Sequence, residues 1–459
     1  MAEKRKKIGI GLLGAGTVGQ SVQDFLFQDA KRGADPELEI VKIYTRHPKG
    51  KKWYGSHPGL FTTKAEEVVD HPGADIIVEA LGFQDEKDLA GFKDLIVRAL
   101  KKGKAVVTSD KAVLARYGRE IWEAARKHGG ELRFEACVAG GVPIIRSITE
   151  SFAAEEPQAI YGIVNGTCNY ILSEMARGGK SYDAALQEAQ QRGYAETNPS
   201  ADTGGKDAEA KLILLAAVAF GLQTEPGVVW RKGIEEIDAL DFLYASRKGR
   251  STIKHLAVAR RENGSVQAYV SPVLVGQEHS LASINGATNA LFFKGRRSGE
   301  PNDGRDWNYV FAGPGAGGGP TAVALLGDVC DVARRSPQRS MPGPLVKPGA
   351  LSIQAEDEIA ACFYIRFVVK DRAGIVGDIC QTLGKAGINI SEIWQLSHSR
   401  EELEGLARRY RIGEKPIGIL PFVITLERAS IGQIKNAMKV ISRRDYMLAE
   451  PCWFPIWTG

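Results

Sequence analysis

The first third of the chain alternates short apolar runs with segments of helical spacing. Four runs have the length and continuous apolar character of buried strands: residues 8–13, 38–44, 74–80 and 105–108. Helical patterns cover residues 88–101 and 116–127, between or after these runs. Strands that alternate with helices predict an α/β fold with a parallel, doubly wound sheet and right-handed crossovers.

The pattern changes near residue 135, and this change predicts further domains. A helical run, DAEAKLILLAAVAF from residue 207, is followed by β-rich segments such as HLAVARR and QAYVSPVLV. A glycine-rich loop then opens another helix at GPGAGGGPTAVALLGDV, and a proline-rich linker follows at residues 336–350. Beyond the linker, a strand, helix and strand pattern occurs twice, which predicts a repeated β-α-β unit.

Composition restricts the class of protein. A chain of 459 residues is too long to form a single hydrophobic core, so we expect several domains. A composition of 44% hydrophobic and 25% charged residues is typical of folded globular domains. The small net charge of +5 argues against nucleic acid as a partner. No apolar run reaches transmembrane length, so we expect no membrane association. The six cysteines form no Cys-x-x-Cys pair and no disulfide-scaffold spacing, which favours reduced thiols and a cytoplasmic location.

The first predicted strand runs into a glycine-rich turn. Its sequence is G-x-G-x-x-G, formed by Gly14, Ala15, Gly16, Thr17, Val18 and Gly19. The first glycine makes the tight turn, the second lets backbone amides approach a pyrophosphate, and the third lets the helix pack against the strand. Because the pattern lies between a predicted strand and a predicted helix, we predict a Rossmann-type domain with these six residues at a nicotinamide cofactor.

The end of the second predicted strand bears on cofactor choice. NAD sites usually carry an acidic residue there to hold the ribose hydroxyls, whereas this strand ends at Arg46, with His47, Lys49, Lys51 and Lys52 after it. Basic residues suit the 2′-phosphate of NADP, and Arg46 is the best single candidate for that contact. We therefore expect NADP(H) in preference to NAD(H); the alternative is a basic loop that only faces solvent.

Charged residues and glycines are dense in the segment AQQRGYAETNPSADTGGKDAEAK, residues 189–211. Asp207 and Lys211 are four positions apart at the start of a predicted helix, so both side chains project from one face. Taken alone, such a pair is most often a surface ion pair. The surrounding segment changes that interpretation.

This segment resembles the signature of homoserine dehydrogenases, in which a glycine and an aromatic residue precede acidic residues, Asn-Pro or Asp-Pro, and then Asp, Gly, Asp and Lys. Similar blocks are VVTSDK from residue 106, EACVAGGVPII from 135, GIVNGTCNYIL from 162 and FAGPGAGGGPTA from 311. The resemblance spans residues 8 to about 340. It departs from the family at Asp110, where Asn is frequent, and at Leu81 to Phe83, where a Gly-Gly pair is common.

The resemblance implies reversible, NAD(P)H-dependent reduction of L-aspartate 4-semialdehyde to L-homoserine, a step of threonine, methionine and isoleucine biosynthesis. It assigns Lys211 as the acid that protonates the aldehyde oxygen, and Lys111 as a group between cofactor and substrate that polarises the carbonyl. It places Glu196 and Asp207 at the amino group and hydroxyl of the substrate, and Asp202 beside the catalytic lysine, which it orients.

The same resemblance implies further contacts. Three residues would lie beside the cofactor: Thr108, Gly193 and Gly315. A monovalent cation, most simply Na+, would bind the carboxylate of Glu135 and the backbone carbonyls of Val138, Gly140 and Val142. The alternative for Glu135 is a buried carboxylate bonded to backbone amides.

The C-terminal repeat resembles the ACT domain, a small module that binds amino acids between paired copies. The similarity lies in the turn at residues 371–376, the helix after it, and residues 387–390. Backbone amides near Gly374 are implied to take an α-carboxylate, and Asn389 an amino group or side chain. Threonine, the end product of the pathway, is the expected effector, and a homodimer or homotetramer is the expected assembly. The alternative is a module that mediates dimerisation without a ligand.

These inferences predict four segments: a Rossmann domain at 1–136, an α+β catalytic and dimerisation domain at 137–310, a return segment with linker at 311–345, and a ferredoxin-like ACT domain at 355–455. Two other functions stay open. One is a non-enzymatic protein that senses nucleotides and amino acids. The other is another semialdehyde dehydrogenase of the aspartate pathway, which needs a cysteine nucleophile with a histidine; no such block occurs in the sequence.

Overall fold

The structure is a computed structural model that describes residues 7–28, 37–82, 86–297, 306–334, 349–410, 412 and 418–458. Contacts group the chain into two compact units. The first comprises the described residues of Met1–Val164, Ala210–Gly227 and Asn289–Ser352, and the second those of Asn165–Glu209, Val228–Thr288 and Ile353–Gly459. Phe83 and most of the predicted linker, residues 336–348, lie outside the described residues.

The strands follow the chain in this order: β1 Lys7–Leu13, β2 Glu37–Tyr44, β3 Phe61–Thr62, β4 Ile76–Glu79, β5 Ala105–Thr108, β6 Leu132–Arg133, β7 Glu155–Ile163, β8 Trp230–Arg231, β9 Ser251–Glu262, β10 Ser265–Gly276, β11 Thr288–Arg297, β12 Trp307–Pro314, β13 Ser352–Ile353, β14 Ala360–Lys370, β15 Ile390–Trp394, β16 Ile419–Ser430 and β17 Cys452–Ile456. The helices are α1 Thr17–Gln28, α2 Ala65–Val69, α3 Glu86–Lys101, α4 Lys111–His128, α5 Ile144–Arg146, α6 Gly166–Gly178, α7 Tyr182–Gln191, α8 Ser200–Thr203, α9 Lys206–Phe220, α10 Ala239–Arg247, α11 Gly318–Arg334, α12 Ile375–Lys385, α13 Arg400–Arg409 and α14 Ile431–Ile441.

The predicted parallel sheet is present in the first unit. Its strands pair in the order β3-β2-β1-β4-β5-β6, and each neighbouring pair is parallel. Ile10, Leu12, Ile77, Val78 and Val107 have no exposed surface, as expected for apolar strands that helices cover on both faces. The strand order reverses between β1 and β4, and in open α/β sheets this switch point is where ligands bind.

Helix α4 begins earlier than the apolar spacing predicts, at Lys111 instead of Arg116. The reason is an N-cap: one carboxylate oxygen of Asp110 accepts hydrogen bonds from the amides of Ala112 and Val113, at 2.9 and 3.1 Å. The cap places Lys111 in the first turn of the helix, directly after the carboxyl end of β5.

Three further strands of the first unit lie in the order β12-β11-β7, and β11 and β7 are antiparallel. Three aromatic rings pack on one another there. Phe152 stacks on Phe293 and on Tyr309, with ring centroids 4.8 and 4.3 Å apart. Apolar and aromatic burial of this kind stabilises the group without any ligand.

In the second unit, six strands follow one another in the order β9-β10-β17-β14-β16-β15. Asn263 and Gly264, with φ of 49° and 80°, form the tight turn between β9 and β10. The last four strands and the helices α12 and α14 form the repeated β-α-β pattern predicted from the sequence. Numbered along the chain, these four strands lie in the order four, one, three, two, and each neighbouring pair is antiparallel.

Helix α9 carries the predicted catalytic pair. Gly205, with φ of 80°, precedes it, and every residue from Lys211 to Phe220 is buried. Each large aliphatic side chain buried in this way contributes roughly 1.5–3 kcal/mol. The apolar body of the helix therefore fixes the position of Lys211.

Candidate active site

The glycine-rich turn after β1 has a different steric constraint at each glycine. Gly14 has φ of 110°, and a Cβ atom there would lie 2.3 Å from the carbonyl oxygen of Ala80. A Cβ atom at Gly19 would lie 2.1 Å from the carbonyl oxygen of Gly14, so only glycine lets α1 approach β1 this closely. At Gly16, by contrast, a Cβ atom would have no neighbour within 4 Å among the described residues. The open space beside Gly16 is where a pyrophosphate can approach backbone amides.

The predicted NADP contact, Arg46, is exposed and bound to an acidic side chain. Its Nη2 donates to both carboxylate oxygens of Asp88 in α3, each at 2.9 Å. The Asp88 carboxylate raises the pKa of the Arg46 guanidinium. Lys52, in the same basic segment, pairs with Asp24 of α1 at 2.8 Å. Both basic side chains lie at the carboxyl end of β2 or after it, but each has a carboxylate partner that a phosphate would have to replace.

Two buried acidic side chains follow β4 and β5. Glu79 is fully buried, accepts a hydrogen bond from the amide of Leu81 at 2.7 Å, and also accepts one from the hydroxyl of Thr108. The amide of Asp110 donates to the same hydroxyl at 3.0 Å. The second carboxylate oxygen of Asp110, Oδ2, is buried and has no hydrogen-bond partner among the described residues. The predicted cofactor residue Thr108 thus links the two acids by hydrogen bonds, and Lys111 follows Asp110 in the sequence.

Electrostatics set this acidic pair apart from ordinary surface carboxylates. Burial raises the pKa of Glu79 to about 8, and the negative charge of Asp110 adds to that rise. Burial likewise raises the pKa of Asp110. Glu79 was not singled out by the sequence, where it merely ends an apolar run; its neighbour Asp110 was noted because Asn is frequent there in the resembled family.

Cys137 is close to these acids and is not activated. Its thiol donates a weak hydrogen bond to the carbonyl of Thr108 at 3.4 Å. Burial, together with the charges of Asp110 and Glu79, raises the pKa of the Cys137 thiol far above its usual value. A thiol that resists ionisation is a poor nucleophile, which disfavours covalent catalysis at this residue.

Asp202 and Asp207 are brought together by an asparagine. Asn165, at the start of α6, donates from Nδ2 to Asp202 at 2.7 Å and to Asp207 at 2.9 Å. Its Oδ1 accepts the amide of Cys168 at 2.9 Å, which caps the helix. Asn165 was missed as a site residue. Its only sequence signal was its position as an N-cap inside the block GIVNGTCNYIL.

The side chain of Lys211 is nearly fully buried, and its Nζ donates to the carbonyl oxygen of Val164 at 2.7 Å. Lysine is almost never buried to this extent without a partner. The hydrogen bond holds the ammonium at a defined position one turn beyond Asp207 along α9. A fixed and buried ammonium is suited to proton transfer to a carbonyl oxygen.

The other predicted residues of this segment are more exposed. Glu196 and Gly193 lie on the exposed loop after α7, where the backbone carbonyl of Glu196 accepts a hydrogen bond from Gln190 at 3.0 Å. Gly193 has φ of 76°, a conformation that favours glycine. Both residues are accessible to a small molecule, whereas Gly315 is buried at the start of the loop before α11.

A buried histidine packs near Asp207 in the second unit. The ring of His255 bonds through Nε2 to the carbonyl of Lys232 at 3.1 Å. Burial lowers the pKa of His255 to about 4, so the ring is neutral at physiological pH. A neutral ring without access to solvent is a structural support for the acidic segment.

Glu135 is held by backbone amides. Its two carboxylate oxygens accept hydrogen bonds from the amides of Ile145 and Arg146, both at 2.8 Å. Burial raises the pKa of Glu135 to about 7, and the charge of Asp328 adds to the rise. No cluster of three or more His, Cys, Asp or Glu side chains that could hold a metal ion occurs in the described parts of the chain.

The geometry near Glu135 bears on the predicted cation. Ala139 and Gly140 both have positive φ, 54° and 55°, which is uncommon for alanine and sets the direction of the carbonyls between Val138 and Val142. Each oxygen of Glu135 has a lone pair left after one amide bond. Carboxylate and carbonyl oxygens are the donors that hard cations prefer, so these residues fit such an ion chemically.

The predicted effector residues lie in the C-terminal β-α-β repeat. Gly374, with φ of 88°, is the N-cap residue of α12; it is exposed, and the space that a Cβ atom would take is open among the described residues. Asn389 precedes β15, is exposed, and donates to Glu427 at 3.1 Å. The N-terminus of α12, whose first amides have no acceptor within the helix itself, therefore lies at the surface of the repeat.

The parallel sheet with a glycine turn at its switch point, together with a buried and hydrogen-bonded lysine in the same unit, is typical of a dinucleotide-dependent oxidoreductase. Comparisons with known proteins narrow this class. The sequence-family model of the homoserine dehydrogenase NAD-binding domain matches residues 14–135. The family model of homoserine dehydrogenase matches residues 143–330. The homoserine dehydrogenase of Pseudomonas aeruginosa is 35% identical over 95% of both chains.

Solved structures agree with these matches. The crystal structure of a homoserine dehydrogenase from Thiobacillus denitrificans has a TM-score of 0.83 and 32% identity, with 98% of both chains covered. A hyperthermophilic archaeal homoserine dehydrogenase in complex with NADPH has a TM-score of 0.58 and 26% identity, over 71% of this chain and 97% of its own. The chain belongs to the homoserine dehydrogenase family. It is an NAD(P)-dependent oxidoreductase that acts on a CH–OH group and interconverts L-homoserine and L-aspartate 4-semialdehyde.

The comparisons support homoserine dehydrogenase activity over the two alternative functions that the sequence left open. In the described part of the chain, none of the helices has both the length and the apolar character needed to cross a membrane. The six cysteines are all free thiols.

Proposed function

We propose that Lys211 is the proton donor of this reaction and that Asp202, Asp207 and Glu196 bind the amino-acid substrate. The observation that carries the proposal is the hydrogen bond of the buried Lys211 ammonium to the Val164 carbonyl at 2.7 Å. This hydrogen bond holds the ammonium group at a fixed position. Lys211 donates a proton to the aldehyde oxygen that becomes the hydroxyl of homoserine, and the neutral amine takes that proton back in the reverse direction.

The acidic residues complement the α-ammonium group of the substrate. Asn165 aligns the carboxylates of Asp202 and Asp207, and the exposed loop supplies the carboxylate of Glu196. Charge-assisted hydrogen bonds from an ammonium group to carboxylates are short and strong. Lys111, in the first turn of α4, polarises the aldehyde carbonyl.

A nicotinamide cofactor would be held by the backbone of Gly14 to Gly19, with Thr108, Gly193 and Gly315 beside it. The space beside Gly16 supports this assignment. Backbone contacts account for glycine at Gly14 and Gly19, whereas at Gly16 no described atom lies within 4 Å of an added Cβ, so the space there is open to a ligand. A bound NAD(P)H supplies the hydride. The protein's residues bind and orient the substrate and deliver the proton.

A matched pair of variants tests the role of Lys211. Lys211→Ala is expected to lower kcat by about 10²–10⁴-fold, the usual contribution of a general acid, with a modest change in cofactor affinity. Lys206→Ala is the control, because Lys206 begins the same helix and is exposed. Equal kcat values for the two variants would remove Lys211 from the mechanism.

For the cofactor, we propose NADP(H) in preference to NAD(H), with Arg46 at the 2′-phosphate. Support comes from the basic loop after β2 and from the relative that was solved with NADPH. Asp88 holds the Arg46 side chain near the end of β2. Arg46→Ala should lower kcat/KM for NADPH by at least about tenfold and leave that for NADH nearly unchanged, since one charge-assisted hydrogen bond is worth about 1.5–3 kcal/mol. Similar losses for both cofactors would contradict the assignment.

At Glu135, we propose a monovalent cation, most simply Na+, held also by the carbonyls of Val138, Gly140 and Val142. A cation binds the ionised form of Glu135, whose pKa is raised to about 7, so the affinity for the cation should increase as pH rises through about 7. Replacing tetramethylammonium chloride by NaCl at constant ionic strength should raise Tm more at high pH than at low pH. The same difference in Glu135→Gln would argue against a cation at this residue.

In the C-terminal repeat, we propose an ACT domain with a ferredoxin-like fold that binds threonine at Gly374 and Asn389 and pairs in a homodimer or homotetramer. The four-one-three-two strand order and the exposed N-terminus of α12 support it. Millimolar threonine should change activity or Tm in the parent protein and in a Gln381→Ala control, but not in Asn389→Ala. The domain limits given by the sequence, and a cytoplasmic location, remain predictions.

A further inference from the structure

A buried asparagine shares the carbonyl that holds the catalytic lysine. Asn289, at the start of β11, has no exposed surface, and its Nδ2 donates to the carbonyl oxygen of Val164 at 3.0 Å. Lys211 Nζ donates to the same oxygen at 2.7 Å. A carbonyl oxygen has two lone pairs, and here each has a donor. The orientation of this one peptide group is therefore set jointly by the amide and the ammonium.

The planar face of the Asn289 amide packs against Gly315, in the loop before α11. A Cβ atom at Gly315 would lie 2.0 Å from Cγ and 2.3 Å from Oδ1 of Asn289, so the amide occupies the space that a side chain there would need. Oδ1 itself is buried and lacks a hydrogen-bond partner within the described ranges. Buried acceptors without a donor are rare in native structures, because they lose their hydrogen bonds to water. An aliphatic residue would pack here without that loss, so packing alone does not account for an asparagine.

We propose that Asn289 is a positioning residue that holds the Lys211 ammonium in place through the Val164 carbonyl. The proposal rests on the assignment of Lys211 as the proton donor. Lysine has a flexible four-carbon stem, so the direction of its ammonium depends on the acceptor that it binds. If the Asn289 amide no longer holds the peptide group, the carbonyl can tilt, and the ammonium tilts with it. Displacements of about 1 Å can cost a reaction about 10²-fold in rate.

Two variants at this position separate the hydrogen bond from side-chain volume. Asn289→Ala removes the donor, and Asn289→Asp keeps the shape but replaces the donor by an oxygen. We expect both to lower kcat by about 10–100-fold, to change KM for the cofactor by less than about threefold, and to increase the solvent deuterium isotope effect on kcat. The isotope effect increases because proton transfer from a displaced lysine limits the rate. Asn436→Ala, an exposed asparagine on α14, is the control and should behave like the parent.

The aspartate variant adds a readout that a purely structural role would not change. Burial favours the protonated carboxyl, and only that form can donate to the Val164 oxygen. The kcat deficit of Asn289→Asp relative to the parent should therefore shrink as pH falls, whereas the deficit of Asn289→Ala should not. If the alanine variant does not fold, the isosteric aspartate variant supplies the same kcat and isotope measurements.

A double-mutant cycle decides whether Asn289 acts through the lysine. In a Lys211→Ala background, adding Asn289→Ala should cause no further loss of kcat. A further loss as large as that in the parent background would overturn the proposal, as would Asn289 variants with kcat within about twofold of the parent and an unchanged isotope effect. If Lys211→Ala itself retained kcat, the assignment of the proton donor would fail instead, so the two failures are distinguishable.

Discussion

The buried acids Glu79 and Asp110 should make the stability of the protein depend on pH. The pKa of Glu79 rises from an ordinary value of 4.5 to about 8 in the fold, and the charge of Asp110 contributes to that rise. A carboxyl group whose pKa is higher in the folded state binds its proton more tightly there than in the unfolded state. Its contribution to stability is therefore complete below pH 4.5 and is lost as pH rises to about 8. The full difference corresponds to at most about 5 kcal/mol.

Asp110→Asn should recover part of this loss. Asparagine keeps Oδ1, which caps α4, and replaces the buried Oδ2, which lacks a partner among the described residues, by an amide. Removing an unsatisfied buried charge and its repulsion of Glu79 should stabilise the protein by about 1–3 kcal/mol above neutral pH. For a unit of this size, about 1 kcal/mol moves Tm by about 2–4 °C.

The assay is thermal unfolding of the parent and variant across a pH series. We expect Asp110→Asn to have a Tm several degrees above that of the parent near pH 8, and the gap to shrink towards pH 5, where Glu79 holds its proton and is no longer repelled by Asp110. Asp94→Asn is the control, because this exposed aspartate of α3 should change stability by less than about 0.5 kcal/mol at any pH. A destabilised Asp110→Asn at pH 8, or a gap that does not depend on pH, would refute the reasoning.

Three further predictions follow from single positions. Gly14→Ala should cost about 3 kcal/mol or more, because φ is 110° and a carbonyl oxygen lies 2.3 Å from the added atom. Gly59→Ala should melt near the parent temperature, because no atom of the described residues lies within 4 Å of the added Cβ. His255→Gln should flatten the profile of unfolding free energy against pH on its acid side. A histidine whose pKa is lowered from 6.5 to about 4 contributes stability that is lost as pH falls through that range. A profile identical to the parent's between pH 6.5 and 4 would contradict this prediction. Asn165→Ala should raise KM for homoserine and lower kcat/KM by about tenfold or more, since the two carboxylates that we propose as substrate ligands lose the donor that aligns them; unchanged kinetics would exclude that role.

Local patterns predicted the parallel sheet and its glycine turn, because both depend on residues close in sequence. The apolar runs set the strands, and Gly14 and Gly19 prove to be the positions where a side chain would meet backbone. Helix α13, Arg400–Arg409, was not among the elements predicted from the sequence, and it buries Leu406. The signal was present at Ser399 and Glu402, whose side chains form a capping box.

The supporting residues of the site were not predictable in this way. Asn289 and Val164 are 125 residues apart, and neither residue carries a pattern that points to the other. Glu79 and Thr108 are 29 residues apart, and they meet only because β4 and β5 are neighbours in the sheet. Sequence patterns and resemblance suggested the groups that we propose to act on the substrate, whereas the groups that hold them depend on the tertiary fold.

The central claim is that this chain interconverts L-homoserine and L-aspartate 4-semialdehyde at a single nicotinamide site. The most direct measurement is turnover by the purified protein, with L-aspartate 4-semialdehyde as substrate and NADPH or NADH as reductant. Both the loss of reduced nicotinamide and the formation of homoserine should be followed. The account predicts equal amounts of oxidised cofactor and L-homoserine, with NADPH as the better reductant. Cofactor binding without homoserine formation from either reductant would contradict it and would favour a protein that only senses nucleotides and amino acids.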